Sequence, residues 1–254
     1  MTRLVSGVIL AVVALAAILW LPFVGLRLLA AIVSVLAAHE YLRIAGVPQS
    51  VPVLALVALT CWFVPASPVT VVPLLLLSFA WVGWTVLRDG APIVQATAQF
   101  FAPWYIGLPL GMLLAVHARG GAAATLLVLA TVVVSDSSQY YTGRAFGRRP
   151  LAPAISPKKT IEGALGGLVF GTLFLTLAGM RVLGGRPLAL ALTGVAVVLL
   201  GICGDLFESR LKRASGIKDS SSLIPGHGGV LDRIDAMLFV IPAFYAYFFG
   251  SSWW

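Results

Sequence analysis

A chain of 254 residues that is 60% hydrophobic and 10% charged, with a mean hydropathy of +1.01, cannot be a soluble globular domain. Too much apolar surface would face water. The net charge of +8 suits either anionic lipid headgroups or a polyanionic substrate, and no nucleic-acid partner is called for.

In lipid every backbone polar group needs a partner within the protein, which leaves helices or a closed barrel. The apolar runs, roughly 17–22 residues each, suit helices. The expected fold is all-α: a polytopic integral membrane protein of about nine transmembrane helices. They fall at roughly 4–24, 26–45, 50–66, 69–87, 99–117, 122–142, 161–183, 187–207 and 233–250. The first run follows Arg3 as in a signal peptide, but it is long and further spans follow at once, so it reads as an uncleaved helix. Cys61 and Cys203 lie in apolar runs, without disulfide or zinc spacing, and read as inert packing residues.

With nine spans, all of the 17 Lys and Arg residues except Arg27, Arg119, Arg181 and Arg186 share one side, with the N-terminus. That side is expected to be cytoplasmic. The 9 acidic residues also fall on or near it. Residues 1–120 read as transmembrane scaffold, and 121–254 as a catalytic region with two cytoplasmic polar loops in a single integrated domain. His39 and Glu40 are the exception in the scaffold. They read either as an interfacial pair reaching water or as the rim of a site.

The first polar loop follows a span that carries Asp136 in its last turns. A carboxylate in a span is costly, about 2.5–3.5 kcal/mol at the bilayer centre, and so points to function. The loop ends in Ser156-Pro157-Lys158-Lys159-Thr160. Ser156 suits an N-cap and Pro157 a first helical position, which predicts a helix start. Cations in a first turn oppose the macrodipole, unless an anion sits on the exposed N–H groups. A phosphate is therefore expected at Ser156–Thr160.

The second polar loop continues the eighth span. Asp205, Glu208, Ser209 and Lys212 share one helical face. A Ser-, Gly- and Pro-rich stretch, 220–229, precedes the last helix, on which Asp232 and Asp235 are three residues apart. Asp205 and Asp232, on neighbouring helices, make a plausible oxygen site for Mg²⁺, which favours one or two carboxylates plus substrate phosphates. Each Asp has an alternative role in an ion pair, with Arg213 or Arg233 as partner.

The pattern S-x-L-K-R-x-x-x-x-K-D-x-S-x-x-I-P-x-H-G-G-V-x-D-R-I-D, from Ser209 to Asp235, resembles the defining motif of CDP-diacylglycerol synthases, or phosphatidate cytidylyltransferases. The first loop is similar to that family as well, through L-A-P-x-I-S-P-K-K-T-x-E-G at Leu151–Gly163. Two departures stand out. Ile161 replaces a common aromatic, and Ser138-Gln139 replaces a usual Gly-Ala after Asp136-Ser137. The resemblance covers about 136–240 and implies the reaction CTP + phosphatidate → CDP-diacylglycerol + pyrophosphate. It also implies a Mg²⁺ requirement, with K⁺ as a candidate second cation, a multi-pass location in the cell's inner membrane, and room for a homodimer on which the spans are silent.

A phosphate monoester, with a second pKa of about 6, is already an anion at neutral pH. The reaction therefore needs cations and oriented N–H groups more than a general base. On that argument Asp205 and Asp232 are assigned to metal, with Asp136 and Asp235 as further metal candidates and Asp219 as a further acid of the site. Lys218, Arg233, Lys159, Lys212 and Arg213 would hold phosphates, and Arg144, Ser156, Thr160, Glu162 and Ser209 complete the expected substrate contacts. His227, counted with the catalytic set, reads as a hydrogen-bond donor or loop organiser, with general base as the alternative role. A CDP-alcohol phosphotransferase is set aside, because its D-G-x-x-A-R pattern does not occur. A CTP-dependent lipid kinase and an ion-coupled transporter remain alternatives; transport would scatter polar residues at mid-membrane in both halves, whereas here they gather on one face of the second half.

Overall fold

The computed structural model describes residues 2–48, 50–65, 68–224 and 226–250. Nearly all of them are helical. In chain order the helices are α1 (Thr2–Trp20), α2 (Phe23–Ile44), α3 (Val51–Phe63), α4 (Val71–Asp89), α5 (Ile93–Ala102), α6 (Leu108–Phe146), α7 (Ile161–Val182), α8 (Pro187–Ala214) and α9 (Leu231–Gly250). Among the described residues six helical stretches are long and apolar enough to cross a membrane, while Ser6–Trp20 and Val51–Phe63 are shorter. Large aliphatic and aromatic side chains are exposed along α1, α2, α4, α7 and α8. Such a surface suits lipid and not water, so the chain is an integral membrane protein.

The expected spans at 99–117 and 122–142 lie in one helical stretch, Ile93–Phe146. It is interrupted twice. A π-turn at Pro103–Gly107 absorbs a proline that has no N–H to donate. At Gly121 the backbone leaves helical geometry altogether (φ 65°, ψ −166°), a conformation open to glycine and strained for other residues.

The chain divides into two compact units. One comprises the chain up to Ala118 together with Ala214–Ile234, and the other Arg119–Arg213 with the remainder of α9. In the first unit α3 lies against the π-turn and the start of α6. A Cβ on Gly107 would approach the Val57 carbonyl to 2.6 Å, so glycine lets the backbones meet. Cys61 is fully buried here.

In the second unit α7 turns a seam of small residues inward. Its buried positions are Gly163, Gly167, Gly171, Leu175 and Gly179, four residues apart, which places them on one face. That face meets α6, where a Cβ on Gly163 would lie 2.7 Å from the Gln139 carbonyl. The same economy brings α8 onto α9, because a Cβ on Gly204 would lie 2.8 Å from the Asp235 carbonyl. Van der Waals contact at short range is the main attraction between helices in lipid, so these approaches set the positions of the polar groups beside them. Cys203, expected to be a packing residue, is instead exposed.

Candidate active site

The first polar loop is a β-hairpin and not a helix start. β1 (Pro150–Ala152) pairs antiparallel with β2 (Ser156–Thr160), with Pro150 opposite Thr160 and Ala152 opposite Ser156. This corrects the expected cap at Ser156. The helix begins at Ile161, and Thr160 is its cap, accepting a hydrogen bond from Gly163 N at 3.1 Å. Pro157 suits either role by its missing N–H; in a two-stranded hairpin it takes an edge position. Cross-strand pairing decided between the two, and it leaves the N–H groups of Ser156–Thr160 outside a helix N-terminus.

Glu162 ties the hairpin to α7. Its carboxylate accepts from Arg148 N (3.0 Å), Arg149 N (3.2 Å) and Arg149 Nε (3.1 Å). Its observed contacts are therefore to its own loop, where substrate contact was the expectation.

Above α7 the second unit holds a cavity of about 420 Å³, lined by Asp136, Gln139, Tyr140 and Arg144 of α6, Lys158, Lys159 and Thr160 of β2, and Asp205 of α8. Gly143 and Gly163 line it too, where α6 and α7 pack closely: a Cβ on Gly143 would lie 2.9 Å from Thr160 Oγ1. Lys159 makes an ion pair with Asp205. Ser209 Oγ, one turn along α8, donates to Asp205 at 3.3 Å, and Gln139 Nε2 donates to Asp136 at 3.1 Å. Asp136, Asp205 and Asp235 lie close enough to repel one another, and Lys212 attracts Asp235. Lys212 also pairs with Glu208, which is 1% exposed. Arg213 is exposed at the end of α8.

Among the described residues no three His, Cys, Asp or Glu side chains converge tightly enough to cage a metal unaided. The donor set does fit Mg²⁺, a hard ion that takes few carboxylates and completes its shell with phosphate oxygens and water. Gln139 and Tyr140 were not among the expected site residues, and Lys158 was expected only as part of the phosphate-binding stretch Ser156–Thr160. Gln139 was noted only as a departure from the family pattern, yet at i+3 from Asp136 it shares that residue's helical face.

The other expected residues belong to the first unit, where 214–230 folds around two carboxylates. Asp232 Oδ2 accepts from Ser220 N (2.9 Å), Ser220 Oγ (2.7 Å) and Gly229 N (2.8 Å). His227 Nδ1 lies 2.8 Å from Ser6 Oγ of α1. Lys218, Asp219 and Arg233 are exposed. Glu40 does not reach for water. It is 3% exposed and accepts hydrogen bonds from the loop and from the start of α9.

The chain is similar in sequence to known proteins. A phosphatidate cytidylyltransferase of Pseudomonas aeruginosa is 36% identical over 266 aligned positions, covering 99% of this chain and 97% of that protein. One from Thermotoga maritima is 40% identical over 172, covering 63% and 62%. One from Haemophilus influenzae is 48% identical over 130, with 49% of this chain and 45% of that protein aligned. The model of the cytidylyltransferase family matches residues 1–250, and this chain belongs to that family.

Proposed function

We propose that the chain is a phosphatidate cytidylyltransferase, moving CMP from CTP to phosphatidate and releasing pyrophosphate. The observation that carries this reading is the cavity between α6, β2 and α8. It brings exposed cations, Lys158 and Arg144, beside an acid, Asp205, that already holds Lys159. Such a mixture suits a substrate that is a polyanion accompanied by a cation.

In the reaction a phosphate oxygen of phosphatidate attacks the α-phosphorus of CTP. One P–O bond forms, the bond to the β-phosphate oxygen breaks, and pyrophosphate departs with the electron pair. The nucleophile is already ionised, so the protein's task is positioning and charge stabilisation. Lys159 would exchange its Asp205 partner for a phosphate oxygen as substrate enters. Charge-assisted bonds of this kind contribute about 1.5–3 kcal/mol each. Arg144, Lys158, Lys212, Arg213, Lys218 and Arg233 would supply further positive charge.

Mg²⁺ would be held in the second unit by Asp205, with Asp136 and Asp235 as further ligands, and would neutralise charge on the departing pyrophosphate; Asp232, in the first unit, is the other carboxylate proposed for metal. K⁺ is the candidate second cation. Nine crossings are proposed, with the N-terminus and both polar loops on the cytoplasmic side of the inner membrane. The basic residues cluster there, and CTP and the lipid headgroup would meet at that boundary.

The decisive experiment uses purified protein in detergent with phosphatidate, Mg²⁺ and CTP labelled in the cytidine. Label in the lipid fraction with stoichiometric pyrophosphate supports the reading. A CTP-dependent lipid kinase would transfer only the terminal phosphate, and would leave the lipid free of cytidine.

A further inference from the structure

Glu40 lies on α2, far in sequence from either family motif, and within the first unit it touches the motif loop at four points. Ser221 Oγ donates to Oε1 at 2.6 Å and Val230 N at 3.1 Å. Leu231 N donates to Oε2 at 2.8 Å, with Ser220 Oγ 2.9 Å from the same oxygen. A buried carboxylate without such donors would carry a large desolvation penalty. Here two hydroxyls and two N–H groups at the start of α9 face the charge, and the positive end of the helix macrodipole adds to them.

The neighbouring turn of α2 repeats the contact. Arg43 donates to the Ser220 carbonyl, and Ser215 Oγ donates to the Ile44 carbonyl at 2.6 Å. The C-terminal end of α2 thus grips the loop at its start, its middle and its entry into α9. Ser220 is shared. Its hydroxyl lies 2.9 Å from Glu40 Oε2 and 2.7 Å from Asp232 Oδ2, and its single proton serves one of them at a time. Gly229 sits beneath both. A Cβ there would collide with Ser220 Oγ and with both Glu40 carboxylate oxygens.

We infer that Glu40 is a positioning residue for the transfer reaction: by holding Ser220, Val230 and Leu231 it fixes the direction in which Asp232 presents its carboxylate. This rests on the proposed cytidylyl transfer. Glu40 touches no reacting atom and acts through the loop and Asp232.

The test compares Glu40→Gln, Glu40→Ala and Glu40→Asp with the parent protein in detergent. It reads kcat, KM for each substrate, the Mg²⁺ concentration for half-activation, and amide hydrogen exchange over 226–232. Glu40→Gln and Glu40→Ala are expected to lose about tenfold or more in kcat, with KM for CTP and phosphatidate within about threefold. The Mg²⁺ midpoint should rise, and Glu40→Asp should recover part of the loss. Exchange over 226–232 should quicken while that of α7 stays as in the parent.

A kcat within twofold of the parent in Glu40→Gln and Glu40→Ala overturns the inference. So does a loss that follows only the fraction of folded protein, with no Mg²⁺ shift and no recovery in Glu40→Asp. If the parent itself incorporates no cytidine, the functional reading fails and the positioning role falls with it. Hydrogen exchange then still decides the grip on the loop, which unchanged protection at Val230 and Leu231 in Glu40→Gln would refute.

Discussion

The segment 214–230 is folded around two carboxylates that accept from its own N–H and hydroxyl groups, whereas the hairpin at 150–160 leaves Lys158 exposed, pairs Lys159 with Asp205 and is tied at its base by one glutamate. Both lie within stretches that carry a family motif, the hairpin with two lysines and 214–230 with one lysine and one aspartate. They differ in how much of their polarity is already spent. In the first unit Glu40 and Asp232 each take several hydrogen bonds at once, which favours a single backbone conformation. In the second, Lys158 and Arg144 face an open cavity, and Lys159 is paired with Asp205 in its lining. One arrangement suits the holding of fixed geometry, and the other suits the acceptance of an incoming anion.

The comparison breaks most sharply at Asp232. Asp232→Asn should lower turnover by about 10³-fold or more, with the protein still folded and inserted. The assay is lipid-linked cytidine, and near-normal activity would remove Asp232 from the reaction.

Next comes Gly229→Ala, which pushes a methyl group into the Glu40 and Ser220 contacts. It should destabilise the first unit by about 1–3 kcal/mol, read by thermal unfolding in detergent. An unchanged midpoint would mean that the loop is not tightly closed.

Lys159→Ala tests the exchangeable side. It should cost about tenfold in kcat/KM for a phosphate-bearing substrate, from loss of a charge-assisted contact. Lys218→Ala should give a similar but smaller defect, and unchanged kinetics for both substrates would strike Lys218 from the phosphate-binding set.

Glu162→Gln should have the mildest effect, under about fivefold in activity, because its partner Arg149 is solvent-exposed. A larger loss would make the hairpin as rigid as the Glu40 loop and erase the contrast.

Much of the site's composition was legible in the chain. Asp136, Asp205, Lys159 and Arg144 stand out because charges are rare amid apolar runs, and the structure gathers them around one cavity. The helices were legible as well, since length and hydropathy are local. The hairpin was not. Ser156-Pro157 satisfies the local rules for a helix start, and only pairing with Pro150–Ala152, set by the intervening turn, makes it a strand. The four-residue glycine spacing on α7 is visible in the sequence. That it receives Gln139 and so helps shape the cavity floor depends on α6.

Glu40 marks the division most clearly. Alone it reads as an interfacial acid, and its donors lie 180 to 191 residues away. The amino-acid order by itself determined the membrane class, the helical content and the chemistry available at the two loops, because these follow from residue type and short-range spacing. Only the tertiary structure decided which carboxylate organises a loop and which faces the cavity. A carboxylate's role depends on the groups that fill its oxygens, and folding alone brings those groups near.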